Sequence, residues 1–207
     1  MARPPDFELE PDEIIDAALE ILNEKGLDAV SMRSVSSRLG VSPVPLYNRI
    51  GNKDDLLDAV AKRLLADLAP PTDPGESWQD YSERWAHELR ERLRRAPDSR
   101  LVLRTRRWAF TEASRPLVDA MRAAGFDADE AVRGCRMLMW ATVGFVAIES
   151  GAVTEITSRP RRSRLAGGDP SGVSQTEADQ LFSLQIRLLI EGIDREERAG
   201  RAPRPPR

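Results

Sequence analysis

The sequence predicts an all-α fold: an N-terminal three-helix head built on a helix-turn-helix, followed by a larger helical body. Three observations carry that prediction. Apolar residues recur at helical spacing from Ile14 onward. Ser, Asn and Gly punctuate residues 31–58 in the order that opens and closes short helices. Two long segments in the second half are apolar beyond a single stripe, as helices with two buried faces are. The 207 residues are 41% hydrophobic, enough for a real core in one or two domains, and only 5% aromatic.

Each element has its own signal. Residues 1–9 read as a flexible arm, with Arg3 free to touch a phosphate or stay in solvent. Pro11 opens helix 1, whose Ile14, Ala17, Ala18, Ile21 and Leu22 share a face until Gly26 stops it. Leu27 and Val30 fold back onto the core. Ser31 caps the next helix, Val35 and Leu39 lie one turn apart, and Gly40 closes it in a left-handed conformation. Val41 plugs the turn. Ser42 is the cap of the third helix, and Pro43 and Pro45 fall in its first turn, where missing N–H groups cost little. Leu46 and Ile50 face inward, and Gly51 ends the helix. Asn52 caps a fourth helix over 54–68, with Asp55 placed for a capping box. Two short helices joined by a tight turn make a helix-turn-helix, whose second helix enters the major groove of DNA with its first residues at the base edges.

Residues 69–75, rich in proline and glycine, mark the boundary between a 10–69 head and a 75–199 body. Ser77 caps a helix over 78–95 carrying Trp78, Tyr81, Trp85, Leu89 and Leu93 on one stripe. A short segment over 99–108 follows Pro97 and Asp98. A helix over 111–123 is expected to be interrupted by Pro116 and stopped by Gly125. A long helix over 127–151 is apolar around Leu138, Trp140, Phe145 and Val146. Residues 154–173 read as a mobile loop. The last helix, 176–199, is apolar almost all round between Leu181 and Ile193, and residues 200–207 read as a disordered tail. Surfaces around Trp140 and Leu188 need a second partner, so a homodimer joined through a four-helix bundle is expected.

Charge is informative locally. The formal net charge is −3, yet residues 29–53 hold Arg33, Arg38, Arg49 and Lys53 and no acid, and DNA responds to the field within about 10 Å at 0.1 M salt. The single cysteine, Cys135, excludes an internal disulfide and a Cys-rich zinc site, and reads as a small buried apolar residue. No apolar signal region opens the chain and no run of 18 apolar residues occurs, the reading being a cytoplasmic protein with no membrane partner.

The stretch GVSPVPLYNRIGNKDDLLDAV, preceded by IIDAALEILNEKGLDAVSMRSVSSRLG, resembles the tetracycline-repressor (TetR) family of transcription factors. The shared pattern is a small turn residue, a Ser cap, Leu-Tyr in the recognition helix, and Asn-Lys-Asp-x-Leu-Leu. The resemblance covers roughly the first third of the chain, and GESWQ at 75–79 extends it more weakly into the body. It implies a ligand-responsive regulator, usually a repressor, that binds a palindromic operator as a homodimer and is released by a small molecule.

The DNA-contact candidates follow from residue chemistry and from that resemblance. Arg33 suits a bidentate contact to guanine O6 and N7, or else a phosphate. Pro43, Val44 and Pro45 offer no side-chain donor and only apolar contact, for instance to thymine methyls, so specificity leans on Arg33, Asn48, Arg49 and DNA shape. Asn48 suits adenine or the backbone, and Arg49 a base or a phosphate. The resemblance implies that the Tyr47 hydroxyl and Lys53 bind phosphate; packing in the core is the other reading of Tyr47. Ser31 and Ser42 are caps first and phosphate donors second.

The effector is expected in the body. Aligned on GESWQ and Asp98, the positions of the family's two drug-holding histidines fall at Leu103 and near Ala69, which implies no tetracycline–magnesium binding. An apolar or weakly polar molecule is expected instead, with Trp85, Leu89, Leu103, Trp108, Met121, Met137, Trp140 and Phe145 as candidate lining, each equally open to ordinary core packing. No metal or cofactor is expected. No Gly-x-Ser-x-Gly elbow, Walker motif or Rossmann glycine pattern occurs, and His87 is the only histidine, so no enzyme is expected. The alternative is a helical RNA-binding or interaction protein using the basic run from Arg90 to Arg107; its mixed acids favour a solvated helix face.

Overall fold

The computed structural model describes residues 9–66, 68, 70, 73, 75–98, 100–101, 108–151 and 174–201. Most of the expected arm, tail, 99–108 segment and 154–173 loop lies outside them. The described residues form eight helices and no strand: α1 Pro11–Lys25, α2 Met32–Leu39, α3 Pro43–Ile50, α4 Lys53–Leu64, α5 Trp78–Arg95, α6 Trp108–Ala123, α7 Ala128–Glu149 and α8 Gln175–Arg201. They divide into two compact units, one of residues 1–66 with 95–113, the other of 67–94 with 114–207.

In the first unit α1 lies against α2, α3 and α4. Its core is the set the apolar spacing picks out: Ile14, Ala18, Leu22, Leu27, Val30, Val35, Leu46, Leu56 and Val60, none more than 1% exposed. A single 3-10 turn at Leu27–Ala29 follows α1; three residues are too few for a periodicity to reveal. Gly40 takes the left-handed conformation at φ 68°. Asn52 accepts from the Asp54 and Asp55 N–H groups at 2.8 and 3.3 Å, and Asp55 accepts from the Asn52 N–H at 2.9 Å, completing the capping box. Helix α4 stops at Leu64, short of the expected residue 68; buried Leu65 caps it, and buried Leu68 lies beyond the helix.

In the second unit α7 packs along α8. Helix α5 buries Trp78, Tyr81, Trp85, Leu89 and Leu93, the expected stripe. Asp127 caps α7 by accepting from the Glu130 N–H at 2.8 Å, while Glu130 accepts from the Asp127 N–H at 2.9 Å. Helix α6 runs through Pro116 without a break. A proline there removes one hydrogen bond to the preceding turn, and the fully buried Leu117 and Met121 just beyond it hold the helix in place. By length and composition α7 is a helix that could cross a membrane, a test the count of uninterrupted apolar residues does not capture. Its Ala131, Gly134, Cys135, Leu138, Thr142 and Val146 are buried within the unit.

Candidate nucleic-acid interface

Helix α3 buries Leu46, with Ile50 half-buried beside its end, and turns most of its remaining surface outward. Pro43, Val44, Tyr47, Asn48 and Arg49 are exposed and Pro45 is half-buried. Tyr47 is 52% exposed, which excludes packing in the core. Arg33, in the first turn of α2, is exposed, and Lys53, first residue of α4, is half-buried. These candidates fall on α2, α3 and the start of α4, all within the first unit.

The two serine caps differ. Ser31 accepts from the Ser34 N–H at 3.1 Å, and Ser34 reciprocates by accepting from the Ser31 N–H at 2.9 Å. Ser42 occupies the cap position of α3 but makes no side-chain cap bond. A cap hydroxyl bonds the second or third N–H of its helix, and the third residue here is Pro45, which has none. The expectation that Ser42 acts as a hydrogen-bonded cap is therefore corrected.

The local positive field is smaller than the sequence count. Arg38 pairs with Glu24 and with Glu20, the latter at 3.1 Å. Hydrogen bonds donated to Glu24 first and Glu20 second raise the Arg38 pKa above the ordinary arginine range despite some desolvation. Glu20 and Glu24 stand one turn apart on α1, and that i, i+4 spacing is the signal that places two carboxylates side by side for a cation. Arg33 and Lys53 remain, with no ion pair among the described residues.

Among the described residues from Arg90 onward, Arg90, Arg92, Arg94 and Arg100 are paired with acids. Arg90 is 3% exposed and meets Glu149 at 2.7 Å and Asp179 at 2.8 Å. Its guanidinium lies 4.8 Å from the Phe182 ring centre and 5.2 Å from that of Phe145. Burial opposes its charge, but the hydrogen bonds to Glu149 and Asp179 outweigh burial and raise its pKa. Arg92 pairs with Glu88, Arg94 with Glu91, and Arg100 with Asp98 and Asp28. A solvated helix face is the favoured reading of this run; Arg90 departs from it as a buried charge paired with Glu149 and Asp179. Arg104, Arg106 and Arg107 lie outside the described residues.

The effector candidates are scattered. Trp85, Leu89 and Met121 are fully buried. Phe145 is half-buried, its ring 5.2 Å from that of Phe182. Leu103 and the Trp108 side chain lie outside the described residues. Met137 and Trp140 are 41% and 61% exposed, beside Leu181, Leu184 and Leu188 at 45–58%. A shallow hollow of about 520 Å³ is lined by Met137, Trp140, Ala141, Gln185, Leu188 and Leu189. Met137 and Trp140 therefore sit on an outer face rather than around an enclosed chamber: the packed sides of α7 and α8 are filled by Leu138, Thr142, Phe182 and Ile186. No group of three or more metal-ligating side chains occurs among the described residues.

Comparison with known proteins places these features. The family described as bacterial regulatory proteins, tetR family, matches residues 14–60. The tetracyclin repressor-like C-terminal domain matches residues 70–196. The tetracycline repressor class A of transposon 1721 from Escherichia coli is 28% identical over 200 residues, covering 89% of this chain and 90% of that one. An HTH-type transcriptional regulator of Saccharopolyspora erythraea is 30% identical over 145 residues, covering 69% and 61%. Among solved structures, TetR from Acinetobacter baumannii AYE superimposes with a TM-score of 0.68 at 26% identity, covering 92% of this chain and 99% of that one. Apo ActR from Streptomyces coelicolor gives 0.69 at 25%, covering 93% and 96%.

Proposed function

The chain belongs to the tetR family of bacterial regulatory proteins, and from that premise we propose that it is a homodimeric repressor of transcription that a small molecule releases from a palindromic operator. The observation that carries the reading is the construction of α3: with Leu46 as its one fully buried side chain, it presents Val44, Tyr47, Asn48 and Arg49 outward, with Arg33 and Lys53 as cations on the neighbouring helices. Arg33, Asn48 and Arg49 are assigned to base edges, and Tyr47, Lys53, Ser31 and Ser42 to phosphates. Two such helices, one from each protomer, enter major grooves about 34–36 Å apart or a multiple of that distance.

Residues 10–69 serve as the DNA-binding head and 75–199 as the effector and dimerisation body. The dimer forms through the exposed apolar faces of α7 and α8 around Trp140 and Leu188, two long helices from each subunit. The effector is apolar or weakly polar and binds in the body, where Trp85, Leu89, Met121 and Phe145 are its inward-lying candidates. Moving the repressor from 99% bound to 99% released needs about a 10⁴-fold preference of the effector for the released state. The protein acts in the cytoplasm.

Selection of duplexes from a random DNA pool with purified protein at physiological salt tests this reading. The expected result is a two-fold symmetric consensus bound by a dimer. Salt-sensitive retention of every duplex alike, with no consensus, contradicts it.

A further inference from the structure

The first turn of α3 presents carbon to whatever lies in front of it. Pro43 and Pro45, its first and third residues, carry no N–H. The Ser42 side chain makes no cap bond to this turn. Between the prolines Val44 is 65% exposed, more than any other large apolar side chain described in the first unit. It contributes nothing to the core, which Leu46 fills from the opposite face of the helix. The sequence around it is cationic: no acid occurs between residues 29 and 53, with Arg33 on the preceding helix and Lys53 at the start of the following one.

An apolar tip inside a cationic frame is complementary to one feature of the DNA major groove. Guanine, adenine and cytosine present hydrogen-bonding atoms there, which such a tip would dehydrate without replacing their partners. Thymine alone among the four bases also presents a methyl group. We propose that Val44, flanked by Pro43 and Pro45, reads the 5-methyl group of thymine, so that each operator half-site carries thymine where this turn meets the base pairs. The inference rests on the DNA-binding reading above and adds the base chemistry that one turn of it selects.

The experiment replaces each thymine of the selected duplex, one position at a time, by uracil, which removes the methyl and leaves the hydrogen-bonding edge unchanged. Affinities are measured by fluorescence anisotropy for the native protein and for Val44→Ala, with the thermal midpoint of the variant confirming its fold. The native protein is expected to lose about fourfold in affinity per methyl at one pair of symmetry-related positions, the equilibrium equivalent of one buried methyl group. In Val44→Ala that loss should vanish while other positions respond as before. A uracil effect of equal size in both proteins, no effect anywhere, or a half-site without thymine overturns the proposal and leaves the operator reading intact. Failure to select any sequence overturns both.

Discussion

Asp98 accepts a hydrogen bond from the Leu27 N–H at 3.1 Å and meets Arg100, which also reaches Asp28 at 3.1 Å. Leu27 is 1% exposed, so its N–H has little access to water if the carboxylate goes. Asp98→Ala should destabilise the first unit by about 1–3 kcal/mol, the usual cost of an unsatisfied buried donor, read as a lower urea midpoint. The hydrogen bond from Arg100 holds the Asp98 carboxyl below its ordinary range, opposed by burial and helped by the Leu27 and Arg100 N–H groups. A carboxylate depressed in the folded state adds stability that is full above its unfolded value and disappears as pH falls through the folded one. The gap between native protein and Asp98→Asn should therefore be full near neutrality and narrow below about pH 4. A gap independent of pH would show that the ion pair is not its source.

At the scale of the element, α5 is the helix whose surface departs most from its sequence. Its apolar stripe is legible from spacing, and so are the caps of α2 and α4, because each depends on neighbours within three residues. Arg90 is not. Its partners lie 59 residues away at Glu149 and on α8 at Asp179, and a run of arginines gives no sign of which one turns inward. The same limit applies to Pro116, whose tolerance within α6 comes from Leu117 and Met121 rather than from local propensity, and to Ser42, whose cap geometry is right while its bond is missing. Tyr47 was open to two readings because a tyrosine on a short helix suits core and surface alike; only the packing of Leu46 decides. Arg90→Ala should cost up to about 3 kcal/mol, chiefly by removing the main partner of Glu149, whose side chain is 14% exposed, while Arg90→Met, which keeps the contacts to Phe145 and Phe182, should cost less. Chemical denaturation of both variants gives the comparison; equal losses would mean that packing against the two rings contributes nothing.

For the whole molecule, the proposed dimer is assigned to exposed apolar residues of the second unit. Trp140 and Leu188 are 61% and 58% exposed and line the same shallow hollow, where singly scattered apolar side chains would be unremarkable but neighbouring ones mark a contact surface. Trp140→Arg with Leu188→Arg should give a folded monomer by sedimentation with operator affinity lowered at least tenfold, since one head then binds without its twin. A dimer of undiminished strength would place the interface elsewhere. The first unit also has a consequence for how the chain is made. Asp98 follows Leu27 by 71 residues, and residues 95–113 belong to the unit that begins at the N-terminus. At about 5–20 residues per second the ribosome needs roughly 4–14 s to deliver that carboxylate after Leu27 has been added. The head therefore emerges with its 3-10 turn uncapped and is completed from downstream. A hybrid regulator spliced at residue 66 would carry a head permanently arrested at that earlier stage of its own synthesis.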